Sequence, residues 1–319
     1  MTTRPSAITV RDLTRRFGAF VAVNQVSFDV HEGEIFGYLG ANGAGKSTTI
    51  RMLCGLLAPT SGTATVAGVD VGQDPEAVKR RIGYMSQKFS LYADLLAQEN
   101  LQFFGGAYGL SGRRLRERVD TVLREVGLTD QRTAVTGALP GGWRQRLALA
   151  CSILHQPRVL FLDEPTAGVD PLSRRTFWDL VRRLAGSGTT ILVTTHYMDE
   201  AEYCDRVGLM VDGRLAALDT PEGLKRTHVP GRTVAVRGVT PAEMDLVPSW
   251  DGVVHVEPFG AGYHVRVRDD PDAVTSLRHA LTRHVAGPCD VEEIEATLED
   301  VFLEVVRTSS GGQTAAVEG

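Results

Sequence analysis

Lysine is scarce in this chain. Of its 34 basic residues only Lys46, Lys79, Lys88 and Lys225 are lysine; the other 30 are arginine. Acidic residues outnumber the basic ones, and the net charge of −5 gives no electrostatic footing for nucleic acid. The densest basic stretch, Arg113-Arg114-Leu115-Arg116-Glu117-Arg118, reads as a solvated helix face. Cysteine is equally rare. Cys54, Cys151, Cys204 and Cys289 lie far apart with no C-x-x-C, which argues against a disulfide framework or a zinc site and fits a reducing cytoplasm. Long apolar runs are missing as well. No segment approaches the ~18 residues needed to span a bilayer, and the N-terminus lacks the apolar core of a signal peptide. Any service to a membrane is therefore expected to go through a partner.

What is present is ordinary for a globular protein: 43% hydrophobic and 23% charged residues over 319 positions, enough for one large or two modest domains. From Ile8 to about His228, apolar strands alternate with amphipathic helices. Val159-Leu-Phe-Leu162 and Thr190-Ile-Leu-Val-Thr194 are continuous apolar runs, the pattern of strands buried on both faces. The expected fold is α/β with a mostly parallel sheet, interrupted by a helical subdomain over about 89–156. A break near His228-Val-Pro-Gly231 separates residues 1–228 from a second domain over 229–307. There the pattern reads β-α-β-β-α-β-α, a small α+β domain whose last helix starts at Thr297-Leu-Glu-Asp300 and runs through Val306. Residues 308–319 are Ser/Gly-rich and read as a disordered tail.

The most informative run is Gly40-Ala41-Asn42-Gly43-Ala44-Gly45-Lys46-Ser47-Thr48, a G-x-x-x-x-G-K-S phosphate loop. Glycines let the backbone turn tightly and approach phosphates without a Cβ in the way. The N–H groups and the following helix start make an anion cradle. Lys46 is expected to reach the β- and γ-phosphates and Ser47 to ligate Mg²⁺. The context fits, because Glu34-Ile-Phe-Gly-Tyr-Leu39 reads as a buried strand and Thr48 to Leu57 as a helix with Ile50, Leu53 and Leu57 on one face. Asp163 and Glu164 end the apolar strand that begins at Val159. Asp163 suits a metal-organising role and Glu164 a water-activating one. Taken singly, Gln87, His196 and the Gly141-Gly142 helix start have bland structural explanations.

Their order in the chain decides the reading. A phosphate loop is followed by Gln87, by Leu139-Pro-Gly-Gly-Trp143, by Asp163-Glu164-Pro165, by Gly168-Val-Asp170 and by His196. This resembles the ATPase subunit of ABC transporters over about residues 8–225. The resemblance implies a composite site formed by two copies head to tail, with ATP and Mg²⁺ between one phosphate loop and the other copy's signature helix. It implies that Phe17 stacks on the adenine, that Gln87 contacts the metal beside Ser47 and Asp163, and that Gly141 and Gly142 offer N–H groups to the γ-phosphate. Asp170 would bridge the two sites, Glu164 would be the catalytic base, and His196 would hold the γ-phosphate and the water. One departure stands out. The family's signature is usually Leu-Ser-Gly-Gly-Gln, and here Pro140 replaces the serine hydroxyl. One lost hydrogen bond to a charged group is worth about 1.5–3 kcal/mol, enough to slow turnover.

The closing Thr297-Leu-Glu-Asp-Val-Phe-Leu-Glu304, together with Gly33-Glu-Ile-Phe-Gly37, Ser47-Thr-Thr-Ile-Arg51 and Thr195-His-Tyr-Met-Asp-Glu-Ala-Glu202, is similar to bacterial two-component drug and antibiotic exporter ATPases. That resemblance implies a peripheral protein on the cytoplasmic face of the membrane, partnered by a second copy and a separate polytopic permease for drug-like or lipophilic cargo. Phe89, Leu91, Tyr92, Leu95 and Leu96 are the expected docking surface for it, with core packing as the alternative reading. A soluble ABC ATPase of the translation or repair kind, an importer ATPase, and an ATP-binding switch with weak hydrolysis are the alternatives.

Overall fold

The computed structural model describes residues 4–87 and 90–314. Its contacts divide the chain into two units between Thr220 and Pro221. In the first unit, β1 (Ser6–Phe17) and β2 (Phe20–His31) form an antiparallel hairpin. Next, β3 (Ile35–Gly40) runs into α1 (Lys46–Leu53). Two short strands follow, β4 (Ser61–Val66) and β5 (Val69–Asp70), then α2 (Pro75–Arg81) and β6 (Ile82–Met85). Helices α3 (Ala97–Ala107), α4 (Gly112–Glu125) and α5 (Gly141–Ile153) occupy the stretch read as helical from the sequence. The unit closes with β7 (Val159–Asp163), α6 (Pro171–Gly186), β8 (Thr190–Thr195), α7 (Met198–Ala201), β9 (Arg206–Val211) and β10 (Arg214–Asp219).

These strands make two sheets. One is antiparallel, in the order β2-β1-β4-β5; the other is β10-β9-β3-β8-β7-β6, parallel except for the edge strand β10. The parallel sheet is the α/β architecture expected from the sequence. Every residue of β3, β7 and β8 is buried, as their unbroken apolar runs require. The antiparallel sheet is an addition the sequence reading did not separate out. The alternating burial along β1 and β2 marks strands with only one face in the core. Phe28 of β2 stacks on Phe36 of β3 at 5.2 Å, and Ile50 and Leu53 of α1 complete the same core. Each such fully buried side chain contributes about 1.5–3 kcal/mol. That packing fixes α1, and so the phosphate loop, against the parallel sheet.

The second unit begins with α8 (Pro221–His228), eight residues earlier than the break read from the sequence. The reason is packing: Leu224 is buried, and the His228 carbonyl accepts a hydrogen bond from Arg266 Nη1 at 3.2 Å. The elements that follow are β11 (Arg232–Arg237), α9 (Pro241–Met244), β12 (Val253–Phe259), β13 (Gly262–Val267), α10 (Pro271–His284), β14 (Asp290–Ile294) and α11 (Leu298–Thr314). The strands form one antiparallel sheet in the order β12-β13-β11-β14. Val274, Leu277 and Leu281 of α10 pack on Val234, Val236, Val265 and Val267. The expected β-α-β-β-α-β-α succession is present. Helix α11 corrects the expected tail from Thr308, since it continues to Thr314; residues 315–319 lie outside the described residues. No helix among the described residues is long and apolar enough to cross a membrane.

Candidate nucleotide site

The phosphate loop leaves β3 and enters α1 at Gly45, which has φ 104°. A Cβ there would meet the Ala22 carbonyl oxygen, so the turn excludes side chains by backbone conformation and by space. Ala41, Asn42 and Gly43 are exposed, while Ala44 is buried and its carbonyl accepts from Gly213 N at 3.2 Å. Thr48 is half-buried on the first turn of α1. Lys46 is folded back on its own loop. Its Nζ donates to the carbonyls of Gly40 at 2.7 Å and Ala41 at 3.0 Å. Burial pushes the Lys46 pKa down from its ordinary value, against the upward pull of Glu164 and Asp163. An ammonium held in this desolvated position gains from an incoming anion.

Glu164 is the hub. Its carboxylate lies 3.9 Å from Lys46 Nζ, accepts from Gln87 Nε2 at 3.0 Å, and stands 3.3 Å from His196 Nδ1. The His196 contact lies off the hydrogen-bonding line, since Nδ1 has no hydrogen-bond partner. Residues as far apart as positions 46, 87, 164 and 196 thus converge on one buried carboxylate, because β3, β6, β7 and β8 lie close together in the parallel sheet and end on the same side. Asp163 sits one residue earlier. Its Oδ1 accepts from Ser47 Oγ at 3.0 Å and from Thr194 Oγ1 at 2.8 Å. Ser47 and Asp163 present hard oxygen donors, the kind Mg²⁺ takes together with phosphate oxygens and water.

Two features of this centre were not read from the sequence. Glu164 has φ 48°, a left-handed conformation that a side chain adopts at a cost of about 1–3 kcal/mol. Thr194 holds it there: the Glu164 N–H donates to Thr194 O at 3.1 Å and to Thr194 Oγ1 at 3.0 Å. A threonine inside an apolar strand carries no distinctive sequence signal.

The remaining expected residues form other clusters. Gly141 and Gly142 are the first two residues of α5, where N–H groups have no acceptor one turn back. Pro140 caps that helix without a side-chain hydrogen bond. Gly142 packs so closely on the Ser173 side chain that a Cβ would clash with its hydroxyl. Ser173 N in turn donates at 2.9 Å to Asp170 Oδ1, the cap of α6, and the hydrogen bonds from Ser173 hold that carboxyl below its ordinary pKa. None of Gly141, Gly142 and Asp170 hydrogen-bonds the phosphate loop among the described residues. Gln145 supplies a link instead, its fully buried amide donating to the carbonyl of Pro165, next to Glu164. Phe17 is 47% exposed with the Arg15 guanidinium 4.6 Å above its ring, while Phe20 is more exposed still.

The fold and the loop, with its carboxylates at the strand ends, define a phosphate-loop nucleotide-binding domain. Residues 23–167 match the family described as ABC transporter, and residues 142–198 match an AAA domain family. The chain is 38% identical over 304 residues to the daunorubicin resistance ATP-binding protein DrrA2 of Streptomyces coeruleorubidus, covering 94% of each. It is 37% identical over 300 residues to the Nod factor export ATP-binding protein I of Ralstonia nicotianae, covering 93% of each. Over 220 residues it is 52% identical to "Probable multidrug ABC transporter ATP-binding protein YbhF" of Escherichia coli (strain K12), spanning 69% of this chain but 38% of that protein. Among solved structures, an ATP-binding subunit of an ABC transporter aligns with TM-score 0.63 at 32% identity, covering 69% of this chain and 92% of that one. A dimeric ATP-binding cassette in a post-hydrolysis state with ADP and phosphate aligns with TM-score 0.61 at 25% identity, covering 67% and 98%. The chain belongs to the family of ABC transporter ATP-binding subunits, and its first unit is an ABC ATPase domain.

Proposed function

We propose that this chain binds and hydrolyses ATP as one of two copies arranged head to tail, and drives a separate membrane permease that exports drug-like or lipophilic compounds. The carrying observation is the convergence of Lys46, Gln87 and His196 on Glu164. In this reading Lys46 leaves the Gly40 and Ala41 carbonyls to bind the β- and γ-phosphates. Glu164 accepts a proton from water as the water oxygen bonds to the γ-phosphorus and the bond to the bridging oxygen of ADP breaks. His196 orients that water and the γ-phosphate, and Gln87 keeps Glu164 aligned. Ser47 and Asp163, with Gln87 beside them, would hold Mg²⁺, which would neutralise phosphate charge. The exposed helix starts at Gly141 and Asp170 are free to face a second copy's nucleotide, and Phe17 to stack on adenine.

The export assignment is supported by the relatives' names, which speak of drug resistance and export. Docking of the permease is supported by an aromatic patch. Tyr92 and Phe103 are about half exposed with rings 4.7 Å apart, and Leu91, Leu95 and Leu96 are half-buried beside them in the sequence. Phe89, expected in the same surface, lies outside the described residues. A switch that binds ATP but turns over slowly is the second reading, favoured by Pro140, which leaves the signature without a hydroxyl. Single-turnover hydrolysis separates the two. The wild type is expected to cleave ATP at least 100-fold faster than Glu164→Gln, the usual scale of a removed general base. Equal rates would leave only the switch.

A further inference from the structure

Outside the hub lies another buried carboxylate, Glu200, 2% exposed and on the short helix α7. Its Oε2 accepts a hydrogen bond from Thr195 Oγ1 at 2.8 Å. The same Thr195 oxygen accepts from Tyr197 N at 3.0 Å. Thr195 and Tyr197 flank His196, so these two bonds close a clamp around the histidine's backbone. The other carboxylate oxygen, Oε1, is buried without a hydrogen-bond partner. Arg174 Nη1, from the first turn of α6, stands 3.9 Å from it and 3.8 Å from Asp199 Oδ2. The Arg174 guanidinium lies 4.7 Å over the Tyr197 ring, which is 4.2 Å from the His196 ring. A cavity of about 170 Å³ lined by Arg174, Trp178, Asp199, Glu200 and Tyr203 leaves the guanidinium room to move. Arg174 N also bonds to the carbonyl of Asp170 at 3.0 Å, which ties it to the cap of α6.

We infer that Glu200 is a positioning residue for His196, acting through Thr195 and Tyr197, and that Arg174 links this clamp to the start of α6. A buried carboxylate with one satisfied and one unsatisfied oxygen is a high-stakes group. Movement of α6 that brings Arg174 onto Oε1 completes its bonding and fixes the turn that aims the imidazole. Movement toward Asp199 releases it. The signal therefore runs from Asp170, at the surface proposed to meet a second copy, to His196 at the γ-phosphate. This inference rests on the role proposed above for His196.

The test is single-turnover ATP hydrolysis by the full chain, with ADP affinity measured by calorimetry. Glu200→Ala is expected to slow hydrolysis by about 10–100-fold, as misplacement of a positioned group does, while the ADP Kd changes less than about twofold. Placed on a His196→Ala background it should slow hydrolysis no further, because both changes remove one unit. Glu200→Gln keeps an acceptor for Thr195 and should recover most of the rate. If Glu200→Ala fails to fold, the near-isosteric Thr195→Val carries the same comparison. An undiminished rate in Glu200→Ala, or losses that simply multiply with His196→Ala, would overturn the inference. A His196→Ala chain as fast as wild type would overturn the role of His196 itself, and with it this proposal.

Discussion

Glu164 stands on a left-handed backbone, and Thr194 is what keeps it there by accepting its N–H and bonding Asp163 in the same gesture. Thr194→Val removes the hydroxyl while keeping the shape. It should destabilise the fold by about 1–3 kcal/mol, read by urea denaturation, because it removes one of the two hydrogen bonds to the buried Asp163 oxygen and one of the two acceptors of the Glu164 N–H. Lys46 carries a different expectation. Lys46→Ala should weaken ATP binding by about 10-fold or more, the scale of a lost charge-assisted hydrogen bond to phosphate, measured by calorimetry. His155 offers a pH prediction. Burial lowers its pKa, assisted by Arg118 and opposed by its bond with the Ile82 carbonyl at 2.8 Å. The folded pKa lies below the unfolded value of about 6.5, so the unfolded chain takes up the proton first as pH falls. The stability contributed by neutral His155 is thus present above about pH 6.5 and lost as pH drops toward the folded pKa. Melting temperature should fall across that window less steeply in His155→Gln than in the wild type.

At the scale of elements, α5 is the piece whose ends matter. Its first turn offers the Gly141 and Gly142 amides, and Gln145 ties it to the residue after Glu164. Pro140→Ser would restore a hydroxyl at the cap. If that hydroxyl contributes about 1.5–3 kcal/mol to binding the γ-phosphate in the transition state, kcat should rise about 10–100-fold. An unchanged kcat would mean the amides already suffice. The seam between α5 and α6 has its own test. Gly142→Ala forces a Cβ against the Ser173 hydroxyl, so it should lower stability and ATPase activity together. Adding Ser173→Ala removes the clash and should restore both. Whether activity follows stability is measured on the same preparations by thermal melts and phosphate release.

For the whole molecule, the proposed composite site predicts an association that depends on nucleotide. Glu164→Gln in the presence of ATP and Mg²⁺ should run on size exclusion as a dimer of the 34.5 kDa chain, and as a monomer without ATP. A monomer under both conditions would remove the head-to-tail arrangement from the proposal. Gently solubilised native membranes should yield the tagged chain together with a polytopic membrane protein in fixed proportion. Ribosomes or repair proteins in its place would move the function to a soluble ABC ATPase.

Much of this could be read from local residue patterns. A glycine-rich run followed by Lys46 and Ser47 has few physical uses, so the loop was legible from residue types alone. Strands β7 and β8 were legible for the same kind of reason, since unbroken apolar runs between turn signals need burial on both faces. The alternation in residues 232–306 gave the element order of the second unit. Tertiary structure decided the rest, because the missing information is long-range. Nothing local in Thr194 or Glu200 marks them; each matters through a partner on another element or across a turn that only the fold closes. The unit boundary moved from His228 to Pro221 because α8 is anchored by Arg266, thirty-eight residues from the carbonyl it bonds. Helix α11 outran its expected end for a local reason: Ser and Gly weaken a helix, but they do not by themselves end one. Above all, four residues scattered from position 46 to position 196 became one site because a parallel sheet delivers the ends of its strands to the same edge.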